Sequence, residues 1–260
     1  MLLQRIHEML ESCATASPVI PCERLYNERW LLCLVLDWFA QHAQDDASQS
    51  GQGIAEHPLA FMPGARWFSG AHLASPFAKR YKGDRLAARR FQADGLIGHF
   101  DVRLKKSKPV IDIQPDAQQF VVIITLLFKP LKPGGKHTRY FDEVANALSC
   151  QIETLHRANR YPVDMAQVEL VVIAPQAQID AENIAAALAP ATLAHKNQRR
   201  VREYHAPQKQ EWLNEWLLPA LDHMRISTIS WESLWDTIYA HDPAANREIR
   251  EFFLHCVALS

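Results

Sequence analysis

Two carboxylates stand beside strongly apolar segments of the chain and are the first candidates for chemistry. Glu28 lies in the apolar stretch YNERWLLCLVLDWF, and Asp94 directly precedes the apolar segment GLIG. Carboxylate oxygens are the ligands that hard cations such as Mg²⁺ prefer. Each residue also has a simpler interpretation: an Asp-Gly pair is typical of a hairpin turn, and Glu28 would be an exposed acid on an otherwise buried helix.

Basic side chains are concentrated in one part of the chain. Residues 79–139 contain fourteen Lys and Arg against five Asp and Glu, a net charge of +9, whereas the whole chain carries −1. A phosphate-facing surface requires such clustering, although a solvated face balanced by acids elsewhere would show it too. We expect three groups to lie along one edge of the sheet and to contact nucleic acid: Lys79, Arg80, Lys82, Arg85, Arg89 and Arg90; Lys105 and Lys106; and Lys129, Lys132 and Lys136.

Several widespread kinds of site have no support in the sequence. It contains no GxxxxGK[ST], GxGxxG, HExxH or GxSxG motif. Its five cysteines are widely spaced and form no CxxC pair, which favours reduced thiols in the cytoplasm and no structural zinc. The longest apolar run, residues 120–128, is about half of a membrane span, and polar residues interrupt the N-terminus. We therefore predict a soluble, cytoplasmic protein with no membrane partner.

The apolar patterns predict the elements that must hold these side chains. Residues 91–128 are typical of a run of strands, and a helix follows at 138–158. Strand and helix then alternate, as in a mixed central sheet flanked by helices with right-handed crossovers. The other predicted elements are helices at 26–39, 180–188, 208–224, 231–239 and 246–257, and strands at 167–174 and 225–229.

We expect the elements to form a single domain over residues 1–260. The expected subdivisions are an N-terminal helical segment (1–40), a surface loop rich in Asp, Ser, Gln and Gly (41–63), and a C-terminal helical segment (208–260).

The segments ADGLIGHFDV, PDAQQFVVIITLLF and YFDEVANALSCQIETL resemble, in order and in wording, the core of the PD-(D/E)XK, or restriction-endonuclease-like, nucleases. In that family an Asp opens one strand and a Glu-x-Lys pattern lies on the next, strongly apolar strand. A helix packs behind the strands, and an N-terminal helix often adds an acid. The resemblance therefore implies an α/β fold with a restriction-endonuclease-like mixed central sheet.

The family's residues carry over only in part. Glu28 matches the helix acid and Asp94 the strand-opening Asp, but Ile124 and Leu126 stand where the Glu and the Lys belong. Neither side chain can ligate a metal or supply a charge, so the active site implied by the resemblance is degenerate. Lys129 lies three residues beyond Leu126 and projects to the opposite face of a regular strand.

The resemblance implies three alternatives for function. The first is a non-catalytic nuclease-fold subunit without a cofactor, which binds nucleic acid, DNA in the first place, or a protein partner in bacterial DNA defence or processing. The second is an active Mg-dependent endonuclease whose site has migrated to Asp94, Asp112 and Glu28. A third, from a different class, is a protein-interaction scaffold whose basic region pairs with an acidic partner.

Overall fold

The computed structural model describes residues 26–45, 54, 56–88, 91–105, 108–127 and 129–258. Elements in these ranges, in chain order, are α1 (Glu28–Asp45), β1 (Arg66–Phe68), β2 (Gly95–Gly98), β3 (Phe100–Lys105), β4 (Lys108–Ile113), β5 (Gln119–Thr125), α2 (Glu143–Arg157), a 3₁₀ turn (Pro162–Asp164), β6 (Gln167–Ala174), α3 (Gln176–Ala181), α4 (Ile184–Leu188), α5 (Pro190–Tyr204), α6 (Pro207–Trp212), a π-helical turn (Leu213–Leu217), α7 (Leu218–His223), β7 (Arg225–Ser230), α8 (Trp231–His241) and α9 (Pro243–Ala258).

Strand β5 is the centre of a five-stranded mixed sheet with the order β1-β2-β5-β6-β7. β2 pairs antiparallel with β1 and with β5, whereas β5, β6 and β7 run parallel. β3 and β4, which lie between β2 and β5 in the sequence, form a separate two-stranded antiparallel hairpin. Every residue of β5 is buried, because a strand covered on both faces needs apolar side chains on both. The predicted mixed α/β architecture is confirmed.

Alternate residues of β5 belong to two separate hydrophobic cores. Val121 and Ile123 pack with Leu32 of α1, and Ile124 packs in the second core with Leu148 of α2. Because successive side chains of a strand point to opposite faces, the odd-numbered residues of β5 face α1 and the even-numbered ones face α2. This alternation determines which side chains of β5 pack on the α1 side of the sheet and which pack on the α2 side.

The first helix is longer than the sequence predicts, and the predicted loop at 41–63 is wrong in part. α1 continues beyond residue 39 to Asp45, and the His42 ring stacks on Trp38 with centroids 4.1 Å apart. Ile54 and Leu59 are buried in the core on the α1 face. Apolar residues within a polar stretch are favourably buried even where the composition resembles a surface loop.

Other differences lie at helix boundaries and in short or polar elements. α2 begins at Glu143 and not at residue 138, because Asp142 is its N-cap and accepts a hydrogen bond from the Ala145 amide at 3.0 Å. The predicted helix at 180–188 is two helices, separated at Asn183, which has a left-handed backbone with φ of 47°. β1 and α5 are absent from the sequence prediction.

Candidate acidic pocket and basic surfaces

Glu28 and Asp94 lie together at the carboxyl end of β5. Asp94 Oδ2 accepts a hydrogen bond from the Thr125 amide at 2.9 Å, and Glu28 Oε1 accepts one from the Leu127 amide at 2.6 Å. The Thr125 side chain lies close enough to both carboxylates to lower the pKa of each in part. We call this cavity of about 680 Å³ the acidic pocket; its lining is Asn27, Glu28, Arg29, Trp30, Cys33, Ser69, Asp94, Thr125, Leu126, Lys129 and Lys132.

Burial raises the pKa of both carboxyl groups above the ordinary range. For Glu28, loss of hydration raises the pKa, and the nearby Asp94 charge raises it further. For Asp94, loss of hydration again dominates, while the Thr125 amide and the charges of Arg29 and Lys132 lower the pKa in part. Two acids that are costly to ionise and share one pocket are typical of a functional site.

The residues of the chain around the end of β5 that lie beside the acidic pair are each one position later than the sequence analysis expects. Ile124 and Leu126 are buried in the core on the α2 face, although Leu126 also borders the acidic pocket. The α1 face holds Leu127 and, by strand parity, Thr125. Thr125 and Leu127 therefore occupy the places beside Glu28 and Asp94 where the family pattern would require Glu and Lys.

Sequence reasoning missed Thr125, although it is the one polar side chain in FVVIITLLF. The register signal is the pairing of Gly95 with Ile123, which puts the residue before Gly95 next to the end of β5. That pairing is invisible in the sequence because both faces of β5 are apolar.

A basic loop borders the acidic pocket. Lys129 and Lys132 line the pocket, Lys136 is exposed, and residues 129–139 contain no Asp or Glu. Lys132 Nζ lies 3.2 Å from a carboxylate oxygen of Glu143 at the start of α2. The Gly134 amide donates to the carbonyl of Arg139 at 3.2 Å, and an added Cβ at Gly134 would lie 1.9 Å from the Thr138 carbonyl oxygen. This close approach fixes the loop in a shape that only glycine permits.

The other predicted basic residues lie at a different place, so the expectation of one shared edge is wrong. Lys79 and Lys105 line a second cavity of about 950 Å³, together with Arg103 and Arg157, between the β3–β4 hairpin and the end of α2. The hairpin follows Gly98, which pairs with the first residues of β5, whereas the acidic pocket lies at the other end of that strand. Because the β3–β4 hairpin and the acidic pocket lie at opposite ends of β5, Lys105 and Lys129 are far apart in the structure although they are close in sequence. We call this second cavity the basic groove.

Six further basic candidates complete the comparison with the sequence. Lys82 and Arg85 are exposed. Arg80 is not available to a phosphate, because its guanidinium is held by Asp84 and by the carbonyl of Tyr204. The remaining basic candidates, Arg89, Arg90 and Lys106, lie outside the described residues.

Asp112 does not join the acidic pair. It forms an ion pair with Arg103 across the β3–β4 hairpin and lines the basic groove. Glu28, Asp94 and Asp112 therefore do not form one site.

The comparisons with known proteins identify no family for this chain. No family model, curated protein or solved structure matches it. The resemblance to the PD-(D/E)XK nucleases thus rests on the sequence segments alone.

The donor set of the acidic pocket fits a catalytic divalent cation poorly. It offers two carboxylates, and one oxygen of each already accepts a hydrogen from the backbone of β5 or the residues after it. Within the described ranges, no cluster of three or more His, Cys, Asp or Glu side chains could hold a metal ion. In the same part of the chain, no helix has the length and apolarity that crossing a membrane requires.

Proposed function

We propose that this chain is a domain of the PD-(D/E)XK type that binds the phosphate backbone of DNA beside a degenerate active site and does not cleave it. The order of elements supports the proposal. α1 supplies an acid, β1 and β2 precede the central strand, Asp94 opens β2, and α2 packs behind β5. This is the order that the resemblance implies.

The observation on which the proposal depends is the composition of the acidic pocket. Glu28 and Asp94 share it with Lys129 and Lys132, while the end of β5 beside them supplies Thr125 and the backbone amide of Leu127. Threonine lacks the negative charge of a ligating carboxylate, and leucine cannot supply a charge to a reacting phosphate. What remains is a positive loop, which attracts a phosphate backbone by Coulomb interaction and counterion release.

One observation favours a second candidate, an active nuclease. Lys129 lines the pocket with both carboxylates. In this candidate Lys129 would offset negative charge on the reacting phosphate, and Glu28 and Asp94 would have to hold the divalent cation without a third acid from the described residues.

A binding assay with charge-matched variants tests the proposal. We expect Lys129→Ala combined with Lys136→Ala to weaken binding of a labelled DNA duplex about tenfold or more, and to reduce the slope of log K against log salt by roughly 2. The control is Arg247→Ala combined with Arg250→Ala, which removes the same charge from exposed positions of α9 and should change the slope little.

The same samples, incubated with Mg²⁺ or Mn²⁺, separate the two candidates. Binding without cleavage supports the non-catalytic domain. Metal-dependent cleavage that disappears in Asp94→Asn would overturn it in favour of the active nuclease. Absence of binding by the wild-type chain at low salt would overturn both and leave the scaffold alternative.

A further inference from the structure

The segment 79–85 joins an exposed aromatic ring to a group of cations. Tyr81 is 61% exposed, and Lys79, Lys82 and Arg85 around it are exposed as well. The side chain of Asp84, the only acid in the segment, is fully buried. An exposed aromatic ring among cations suits a ligand with both negative charge and flat apolar faces.

Arg80 and Asp84 hold the segment in one shape. Arg80 Nε lies 2.9 Å from Asp84 Oδ2 and Nη2 lies 3.1 Å from Oδ1, a two-point contact between planar groups. Arg80 Nη1 also donates to the carbonyl of Tyr204 at 2.5 Å, and the guanidinium lies 4.0 Å from the centre of the Tyr204 ring. These contacts fasten the segment to the end of α5.

The contacts between Arg80 and Asp84 also determine which charges of the segment are available to a ligand. Hydrogen bonds from Arg80 hold the pKa of Asp84 well below its ordinary range, so Asp84 stays ionised and neutralises Arg80. No ion pair joins Lys79, Lys82 or Arg85 to any carboxylate among the described residues. The segment therefore presents three cations with no acid of its own to balance them.

We propose that the segment 79–85 is a stacking platform for single-stranded nucleic acid, a proposal that rests on the nucleic-acid binding proposed above. Tyr81 takes an unpaired base against its ring, and Lys79, Lys82 and Arg85 contact the phosphates on either side. The Arg80 guanidinium lies over the Tyr81 ring, 5.7 Å from its centre.

The favoured partner is a single strand and not a duplex. Stacking on an aromatic side chain needs a free base face, which the paired and stacked bases of a duplex do not offer. Lys79 also lines the basic groove, so the phosphates of a bound strand can continue from Tyr81 towards Lys105 and Arg157.

A comparison of two single-stranded oligonucleotides measures the contribution of stacking separately from that of the phosphates. The probes are a labelled DNA single strand and a strand of equal length whose central nucleotides lack bases. We expect Tyr81→Ala to weaken binding of the normal strand roughly five- to a hundredfold. Its effect on the abasic strand should be small, because the phosphates remain, and Tyr81→Phe should retain most of the affinity.

Tyr239→Ala is the matched control, because Tyr239 on α8 is 60% exposed and its removal should leave binding of both strands unchanged. Equal losses on the normal and the abasic strand would overturn the stacking role. An unchanged affinity in Tyr81→Ala, with a wild-type chain that binds, would overturn the platform and leave the proposed function intact. A wild-type chain that binds neither strand nor a duplex would overturn both.

Discussion

Replacing Gly98 by alanine should destabilise the fold more than the same replacement at any other described glycine of the sheet. Gly98 is buried at the end of β2, has φ of +149° and pairs with Phe120 of β5. An added Cβ would lie 2.1 Å from the carbonyl oxygen of Gln119 and 3.1 Å from the Cα of Phe120. Both atoms belong to the backbone of the central strand, so no side chain can move aside. We expect a loss of about 3–5 kcal/mol in the free energy of unfolding.

Urea unfolding of Gly98→Ala beside Gly135→Ala checks this expectation. Gly135 lies in the exposed basic loop, and an added Cβ would come no closer than 3.6 Å to the Thr138 hydroxyl. The control should therefore unfold within about 0.5 kcal/mol of the wild type. If Gly98→Ala were as stable as the control, β2 would not pair with β5 in the register described.

The strands β5 and β6 are predictable because both are long, mostly apolar segments, and the predicted strand at 167–174 coincides with β6. Parallel strands covered on both faces need such segments. The predicted strand at 225–229 differs from β7 by one residue, and its sequence RISTIS alternates polar and apolar side chains.

The helix α5 could not be predicted, because two of the five residues on its buried face, Asn197 and Arg200, are polar. Arg200 on this face is 1% exposed, and its guanidinium lies 5.0 Å from the centre of the Phe77 ring and 5.5 Å from that of Phe141. Burial lowers its pKa. The aromatic rings that make this burial tolerable come from segments more than fifty residues away, so no local pattern records them.

The acidic pair itself was predictable from residue type, but its surroundings were not. Glu28 and Asp94 are separated by 66 positions, and only the resemblance to a known family put them in one site. The choice of Thr125 over Ile124 depends on the register between β2 and β5. A shift of one residue moves every side chain of a strand to the other face, and alternation cannot fix the register of a strand that is apolar on both.

The acidic pocket and the platform around Tyr81 contribute in different ways to one proposed activity. The pocket lies on the α1 face at the carboxyl end of β5, whereas the segment 79–85 is fastened to α5 through Tyr204. In the proposed function, the basic loop contacts a duplex and the platform contacts a single strand. Such an arrangement suits a nucleic acid that is partly unpaired.

The carboxylates of the pocket should weaken the fold at neutral pH, and their amide variants should therefore be more stable than the wild type. Because burial raises the pKa values of Glu28 and Asp94, the folded chain binds protons that the unfolded chain releases. The stability of the wild type then falls as pH rises from the ordinary carboxyl range through the raised values. At a pH above the raised pKa values, both carboxylates are ionised in the folded chain, and the free energy of unfolding is reduced by the full cost of two buried charges.

Asp94→Asn and Glu28→Gln remove this cost and keep an oxygen that can accept the amide hydrogen of Thr125 or Leu127. We expect both variants to unfold at higher urea concentration than the wild type at pH 7, with the difference shrinking as pH is lowered towards 4. Asp116→Asn, in an exposed position before β5, should show no such difference. Variants less stable than the wild type at pH 7 would mean that Arg29, Lys129 and Lys132 outweigh the loss of hydration. A pair of acids that weakens its own fold needs an explanation outside folding, as residues of functional sites often do.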